Sequence, residues 1–174
     1  AADPMHKHLL WQSTDDLSAR VWLWHEQGIL RMYLDVTDDH HIQNEKASAI
    51  WRKDSIQMGI ASPDLNGFWE LGFALSTDKS LVTAWNKPLG FSALPESVHA
   101  TISRKGNRTI YDLHIPLVDL GFKPDENGTF RFDYTFLINE SDEGTRDGWL
   151  ELTSGIGRGK DPSQFLPMAF RINQ

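Results

Sequence analysis

Apolar residues recur at every second position along most of the chain, the period of strands that rest one face on a core. Val21 and Leu23 alternate with Trp22 and Trp24. After Glu26-Gln27-Gly28, the row Leu30, Met32, Leu34, Val36 alternates with Arg31, Tyr33 and Asp35, which predicts a hairpin over residues 20–36. Ile56, Met58 and Ile60 form a third row. The turn composition of Pro63-Asp64-Leu65-Asn66-Gly67 separates it from Trp69, Leu71, Phe73 and Leu75. Weaker strands are expected near 80–85 and 97–103, followed by one at 108–115. Pro116 to Gly121 reads as one short helical turn, with proline at its start and glycine as its stop. The cleanest alternation is Phe130, Phe132, Tyr134, Phe136 and Ile138, whose opposite face carries Arg131, Asp133, Thr135, Leu137 and Asn139; final strands fit 147–152 and 166–172. Eight to ten short strands with almost no helical pattern specify an all-β chain, an antiparallel β-sandwich with jelly-roll-like or immunoglobulin-like layers. Residues 1–17 lack periodicity and read as a loose lead-in or expression-derived segment ahead of a sandwich over 18–174. The opening Ala-Ala-Asp-Pro fits a processed or excised chain.

Length and charge narrow the classes of partner. A chain of 174 residues is one domain by size. Seventeen Lys and Arg against 24 Asp and Glu give a formal charge of −7, with no basic run to displace counterions from phosphates; nucleic acid and anionic membrane surfaces are excluded as partners on that ground. No apolar run approaches the ~20 residues of a spanning helix. The absence of cysteine removes disulfides, thiolate metal sites and a cysteine nucleophile. Seven tryptophans among nineteen aromatic residues are a heavy load of flat side chains for so acidic a chain.

Against this background the outward positions of the strands become informative. Gln57, Glu70, Thr135 and Asn139 all lie on the phase opposite their core rows, and Trp51 immediately precedes the strand that carries Gln57. An aromatic plate for the C–H face of a pyranose, beside planar amides and carboxylates for its hydroxyls, is the mixture that recognises sugars. The same residues also fit an ordinary wet face with Trp51 at the edge of the core. Trp69 shares its phase with Leu71 and Phe73 and belongs to the core. Trp22 and Trp24 oppose Val21 and Leu23, as expected of a strand that is central or covered, while Trp85, before Asn86-Lys87-Pro88, is the better exposed aromatic. Trp149 reads as part of a strand. For catalysis, Ser154 lacks a nucleophile-elbow motif, and no spacing singles out a carboxylate pair, so no catalytic residue is assigned. His40 and His41 are adjacent and would point apart on a strand, which suits chelation badly. Asp35, Asp38 and Asp54, with Asp39, Asp15 and Asp16 nearby in sequence, supply the hard oxygens that calcium prefers, although capping of turns is the alternative use of aspartates.

A family resemblance adds to this reading. Trp24-His-Glu-Gln-Gly-Ile-Leu-Arg-Met-Tyr-Leu-Asp-Val-Thr-Asp-Asp39 followed by Ala49-Ile-Trp-Arg-Lys-Asp-Ser-Ile-Gln57 resembles the opening of family 9 carbohydrate-binding modules and the wider DOMON-like sandwiches. Phe130-Arg-Phe-Asp-Tyr-Thr-Phe-Leu-Ile-Asn139 resembles the penultimate strand of that family. Gly148-Trp-Leu-Glu-Leu and Gly155-Ile-Gly-Arg-Gly-Lys-Asp-Pro-Ser-Gln-Phe165 resemble its C-terminal loop, so the likeness runs in order over about residues 18–172. It implies a noncatalytic, sugar-binding sandwich with structural calcium, joined in one polypeptide to the catalytic domain of a secreted polysaccharide-degrading enzyme, with polysaccharide or oligosaccharide as partner and an extracellular or periplasmic location. It also implies two tryptophan plates around one sugar. Trp51 matches the first; the second position is Gly159, and Trp85, Arg158 or Lys160 could supply that side instead. Gln57 matches a family contact, and Glu70 stands where a basic contact is usual. A basic pair at Arg158 and Lys160 would suit an acidic sugar such as a uronate. DOMON-like relatives also bind haem through Met with His or Lys, but Met58 falls in a core row without any haem motif. The expected sugar-binding set is therefore Trp51, Gln57, Glu70, Trp85, Asn139, Arg158 and Lys160, and the expected calcium set Asp35, Asp38 and Asp54.

Overall fold

The computed structural model describes residues 13–77 and 79–172. Within them run ten strands: β1 (Leu17–Glu26), β2 (Ile29–Asp38), β3 (Ser55–Ala61), β4 (Phe68–Ser76), β5 (Lys79–Asn86), β6 (His99–Lys105), β7 (Arg108–Pro116), β8 (Thr129–Glu140), β9 (Gly148–Glu151) and β10 (Leu166–Arg171). They form two antiparallel sheets, one in the order β1-β2-β7-β6 and one in the order β10-β8-β3-β4-β5, with β9 paired to β8. The first hairpin turns through Gln27 and Gly28 at φ 51° and 84°. Two left-handed residues in succession are what a two-residue turn between right-twisted strands requires.

The core lies between the sheets and uses the apolar rows: Leu30, Met32, Leu34 and Val36 from β2, Ile56, Met58 and Ile60 from β3, Trp69, Leu71 and Phe73 from β4, and Phe130 and Phe132 from β8. Leu17 opens β1 and is buried in this core, so the sandwich takes in the last residue of the segment expected as lead-in; residues 1–12 lie outside the described residues. Met58 is wholly enclosed by this packing. Trp69 satisfies its indole N–H on the Leu120 carbonyl at 2.9 Å, which ties β4 to the turn at 117–122. That turn is closed by Leu120 N–H to Leu117 O and Gly121 N–H to Val118 O, with Gly121 at φ 87°, but it does not become a helix. The 3-10 turns lie instead at Ala47–Arg52 and Pro162–Gln164. Neither has an apolar period long enough to be read from sequence.

Two further expectations are corrected. β1 is an edge strand, and Trp22 and Trp24 stand 49 % and 44 % exposed on its outer side. They cover one another's neighbours rather than a core: Trp22 meets Tyr33 edge-on at 5.6 Å, and the Arg31 guanidinium lies 5.7 Å from the Trp24 ring. His40 and His41 lie beyond the end of β2, in irregular chain, so the alternation of a strand does not govern their directions.

β8 is long enough to take two neighbours on one side. Its first half pairs with β10 and its second half with β9. Between β9 and β10 the chain leaves the sheet over residues 152–165 and folds across the outer face of the six-stranded sheet. There Ile156 and Phe165 join Ala61, Leu137 and Trp149 in a second, smaller cluster. Glycines permit the close approach: a Cβ on Gly59 would lie 2.4 Å from the Phe165 ring, and one on Gly72 only 2.2 Å from that of Trp85. Gly72→Ala is therefore expected to destabilise the fold by about 1–3 kcal/mol through overpacking. In a Trp85→Ala background the same change should cost under about 0.5 kcal/mol; a denaturant double-mutant cycle measures both.

Candidate functional site

The outer face of the six-stranded sheet carries a line of polar side chains that the strand registers bring together. Ser55 stands opposite Asn139 across β3 and β8, and Glu70 opposite both Gly59 and Asn86 across β3, β4 and β5. Between Ala84 and Asn86 the β5 register slips by one residue, leaving Trp85 unpaired. This bulge breaks the strict alternation and lets Trp85 and Asn86, neighbours in sequence, both line the same groove.

Those side chains form a continuous hydrogen-bonded chain. Arg146 donates to Asn139 Oδ1 at 3.2 Å; Asn139 Nδ2 donates to Ser55 Oγ at 2.9 Å and to Gln57 Oε1 at 3.1 Å; Gln57 Nε2 donates to Glu70 Oε1 at 3.1 Å. Glu70 also accepts from Asn86 Nδ2 and from the Lys160 ammonium, which in turn donates to the Ile156 carbonyl at 3.2 Å. Glu70, Gln57 and Asn139 are only 2 %, 4 % and 1 % exposed. A carboxylate so deep must be paired and fully hydrogen-bonded to persist, and this one is. Its oxygens are committed to holding Gln57, Asn86 and Lys160 in place.

Above this floor stands a groove of about 490 Å³. Trp51, at the end of the 3-10 turn Ala47–Arg52, forms one rim and is half-buried. Trp85 is fixed by its indole N–H on the Ser48 carbonyl at 2.8 Å, with its ring against Gly72. The Arg146 guanidinium lies 5.4 Å from the centre of the Trp51 ring and 4.5 Å from that of Trp149; Arg52 lies 5.3 Å from Trp51. Burial pulls the Arg146 pKa below the usual guanidinium range, and the charge of Glu151 opposes that shift. The opposite wall is the 152–165 segment, which brings Ile156, Arg158, Gly159 and Lys160 to the groove. A Cβ on Gly159 would meet nothing within 4 Å.

Of the seven residues expected from sequence, Trp51, Gln57, Glu70, Trp85, Arg158 and Lys160 line this groove, and Asn139 lies beneath it as the link between Arg146 and Gln57. Thr135 faces the same side of the sheet but anchors the start of the wall, through hydrogen bonds with Thr153. Arg146 and Asn86 are members that sequence reasoning missed. Arg146 sits in a run of turn residues with no motif, and the bulge hides the phase of Asn86.

A second constellation lies just before the start of β3. Asp38 ends β2, Asp54 precedes β3, and His41 comes between them in sequence; their ligand atoms all fall within 4.8 Å of one another. His41 Nε2 lies 3.0 Å from the Leu75 carbonyl, and its Nδ1 lies 3.5 Å from Asp54 and 3.7 Å from Asp38, which also faces Arg104 Nη1 at 3.4 Å. Among the described residues His41 Nδ1, Asp38 Oδ1 and Asp54 Oδ1 are buried and make no hydrogen bond. Burial first, and then the charges of Asp38 and Glu140, push the Asp54 carboxyl up to about 9. Asp16, Glu140 and Asp142 gather next to this group, and burial with Asp142, Asp16 and other acids pushes Glu140 up to about 8. Buried, mutually repelling acids with idle oxygens are suited to a divalent cation: three carboxylates in one group are a calcium-type donor set, and the imidazole widens the other towards borderline metals. Asp35 does not join them. It faces the outer side of β2, where the Arg108 guanidinium grips it through both carboxylate oxygens. His41 is the member that the sequence discounted, because it lies in a loop and not on a strand.

In fold the chain is similar to a family 9 carbohydrate-binding module from Caldicellulosiruptor kristjanssonii. Its cellotriose complex superposes with a TM-score of 0.70 at 16 % identity, over 93 % of this chain and 79 % of that one. The glucose complex of a family 9 module from the same organism gives 0.66 at 15 % identity, over 92 % and 79 %. A Bacteroides uniformis protein assigned a carbohydrate-binding role gives 0.66 at 11 % identity, over 89 % and 79 %. No protein-family model and no curated protein matches the chain. The architecture is thus that of the family 9 carbohydrate-binding modules, an all-β sandwich.

The ion pair beneath the groove makes a direct prediction. Lys160→Met leaves the buried Glu70 charge without its cation and should destabilise the protein by about 2 kcal/mol, less than for a fully buried pair because Lys160 is itself 45 % exposed. Adding Glu70→Gln should recover most of that loss in urea denaturation.

Proposed function

We propose that this domain is a noncatalytic carbohydrate-binding module that takes one sugar ring in the groove beside Trp51. The observation that carries this reading is a half-buried indole at the rim of an open groove whose polar floor is locked before any ligand arrives. Stacking on such a ring is sequence-tolerant towards sugars with a flat C–H face, and a preformed floor loses little entropy on binding. The fold shared with sugar-bound modules supports the same reading. One ring held by one plate should bind with a micromolar to millimolar Kd. Attachment to a secreted polysaccharide-degrading enzyme would turn this into useful residence through effective concentration.

In this proposal Asp38, His41 and Asp54, with the adjoining Asp16, Glu140 and Asp142, hold calcium. The ion engages the Asp38 and Asp54 oxygens that have no donor among the described residues and pins β2, the loop after it and the start of β3. These are the segments that deliver Trp51.

Two measurements test these assignments. In a glycan array followed by calorimetry, Trp51→Ala should weaken binding at least about tenfold, corresponding to about 1.4 kcal/mol of lost stacking, with an unchanged circular dichroism spectrum; equal binding by wild type and variant refutes Trp51 as the plate. Chelation should lower the melting temperature by about 5–10 °C, and added Ca²⁺ at about a hundred times its Kd should restore it. Asp54→Asn should abolish that calcium response.

A further inference from the structure

We infer that the ring bound in this groove carries an anionic substituent, a carboxylate or a sulfate; this rests on the groove being the sugar site. Three cations, Arg146, Arg158 and Lys160, line it against one carboxylate, Glu70, in a chain whose overall formal charge is −7. Glu70 is 2 % exposed and accepts the Lys160 ammonium directly. Arg146, at the Trp51 end, is accompanied by Glu151, so the cationic excess lies with Arg158, on the opposite wall.

The inventory of hydrogen-bonding capacity points the same way. A neutral sugar offers hydroxyls that both donate and accept, so its sites need acceptors as well as donors. Here most acceptors of the floor are already engaged: both Glu70 oxygens, Gln57 Oε1 and Asn139 Oδ1 each receive at least one protein donor, which leaves Asn86 Oδ1 as the acceptor side chain without one among the described residues. What the groove still offers is rich in donors, above all the Arg158 guanidinium, which is exposed and makes no hydrogen bond or ion pair among the described residues. Its planar fork matches the paired oxygens of a carboxylate or sulfate. Gly159 beside it has no side chain, and the space where one would stand is empty of protein atoms to 4 Å. The wall that could carry a flat plate thus presents an open approach flanked by two cations.

The experiment is calorimetry on the full chain with matched pairs: glucose with glucuronate and with glucose 6-sulfate, galactose with galacturonate, and inorganic sulfate alone. At about 0.05 M salt an anionic sugar should bind at least about tenfold more tightly than its neutral parent, and the ratio should shrink towards one at about 0.5 M salt. Arg158→Ala should collapse the ratio to about one, and Arg158→Lys should restore part of it. A preference for uronates over the sulfate ester, or the reverse, identifies which anion the site takes. Neutral parents binding as well as or better than their anionic partners would overturn the inference while leaving the sugar site standing. Inorganic sulfate binding as tightly as the anionic sugars would overturn it as a bare anion site. Failure of every sugar to bind would remove the sugar-site reading and this inference together.

Discussion

A single buried carboxylate organises the functional face of this sandwich. Glu70 stands on a central strand, nearly out of contact with water, and its charge has to be answered from three sides. Gln57 answers from β3, Asn86 from β5 and Lys160 from the segment that crosses the sheet. Because Gln57 is held in turn by Asn139, and Asn139 by Arg146, one desolvated charge fixes side chains from three neighbouring strands and two loops. Such a network rigidifies only when every member is satisfied. In this protein the orientation of each amide is set by the charges at the two ends, a cation beside each.

That network also separates what the sequence made legible from what it concealed. Period-2 rows and glycine turns are local signals, and they sufficed for the strands, the first hairpin and the identity of the core. Gln57, Glu70 and Asn139 were visible as outward positions for the same reason. Their roles were not visible, because a role depends on what lies across the sheet. Glu70 reads as a contact for hydroxyls in the linear sequence but is spent on protein partners in the fold. Arg146 has no periodicity to betray it, and a one-residue slip in β5 disguises Asn86. Trp22 and Trp24 show the reverse failure: apolar residues on both faces suggested a covered strand, yet on this exposed edge Trp22 rests on Tyr33 and Trp24 on the Arg31 guanidinium.

The two polar constellations obey opposite electrostatic rules. In the floor of the groove, Glu70 is matched by Lys160 and hydrogen-bonded on all sides, so that floor is set by the protein alone. At the Asp38, His41 and Asp54 cluster, buried carboxyls face one another and an imidazole, with Arg104 beside Asp38, and burial together with that crowding pushes the Asp54 carboxyl up to about 9. Both lie on strand β3 or its flanks, with Asp54 and Trp51 only three residues apart. Whatever steadies the acidic end steadies the mount of the indole as well.

The departure of the chain from the sheet between β9 and β10 has a consequence for how such a domain can diversify. The excursion leaves from β9 and returns into β10, both paired to one long strand, while Ile156, Phe165 and Lys160 tie it to the sheet. Changes confined to the residues between those anchors reshape one side of the groove and leave the strand pairing as it is. One wall of the groove can thus vary while the two sheets beneath it stay the same.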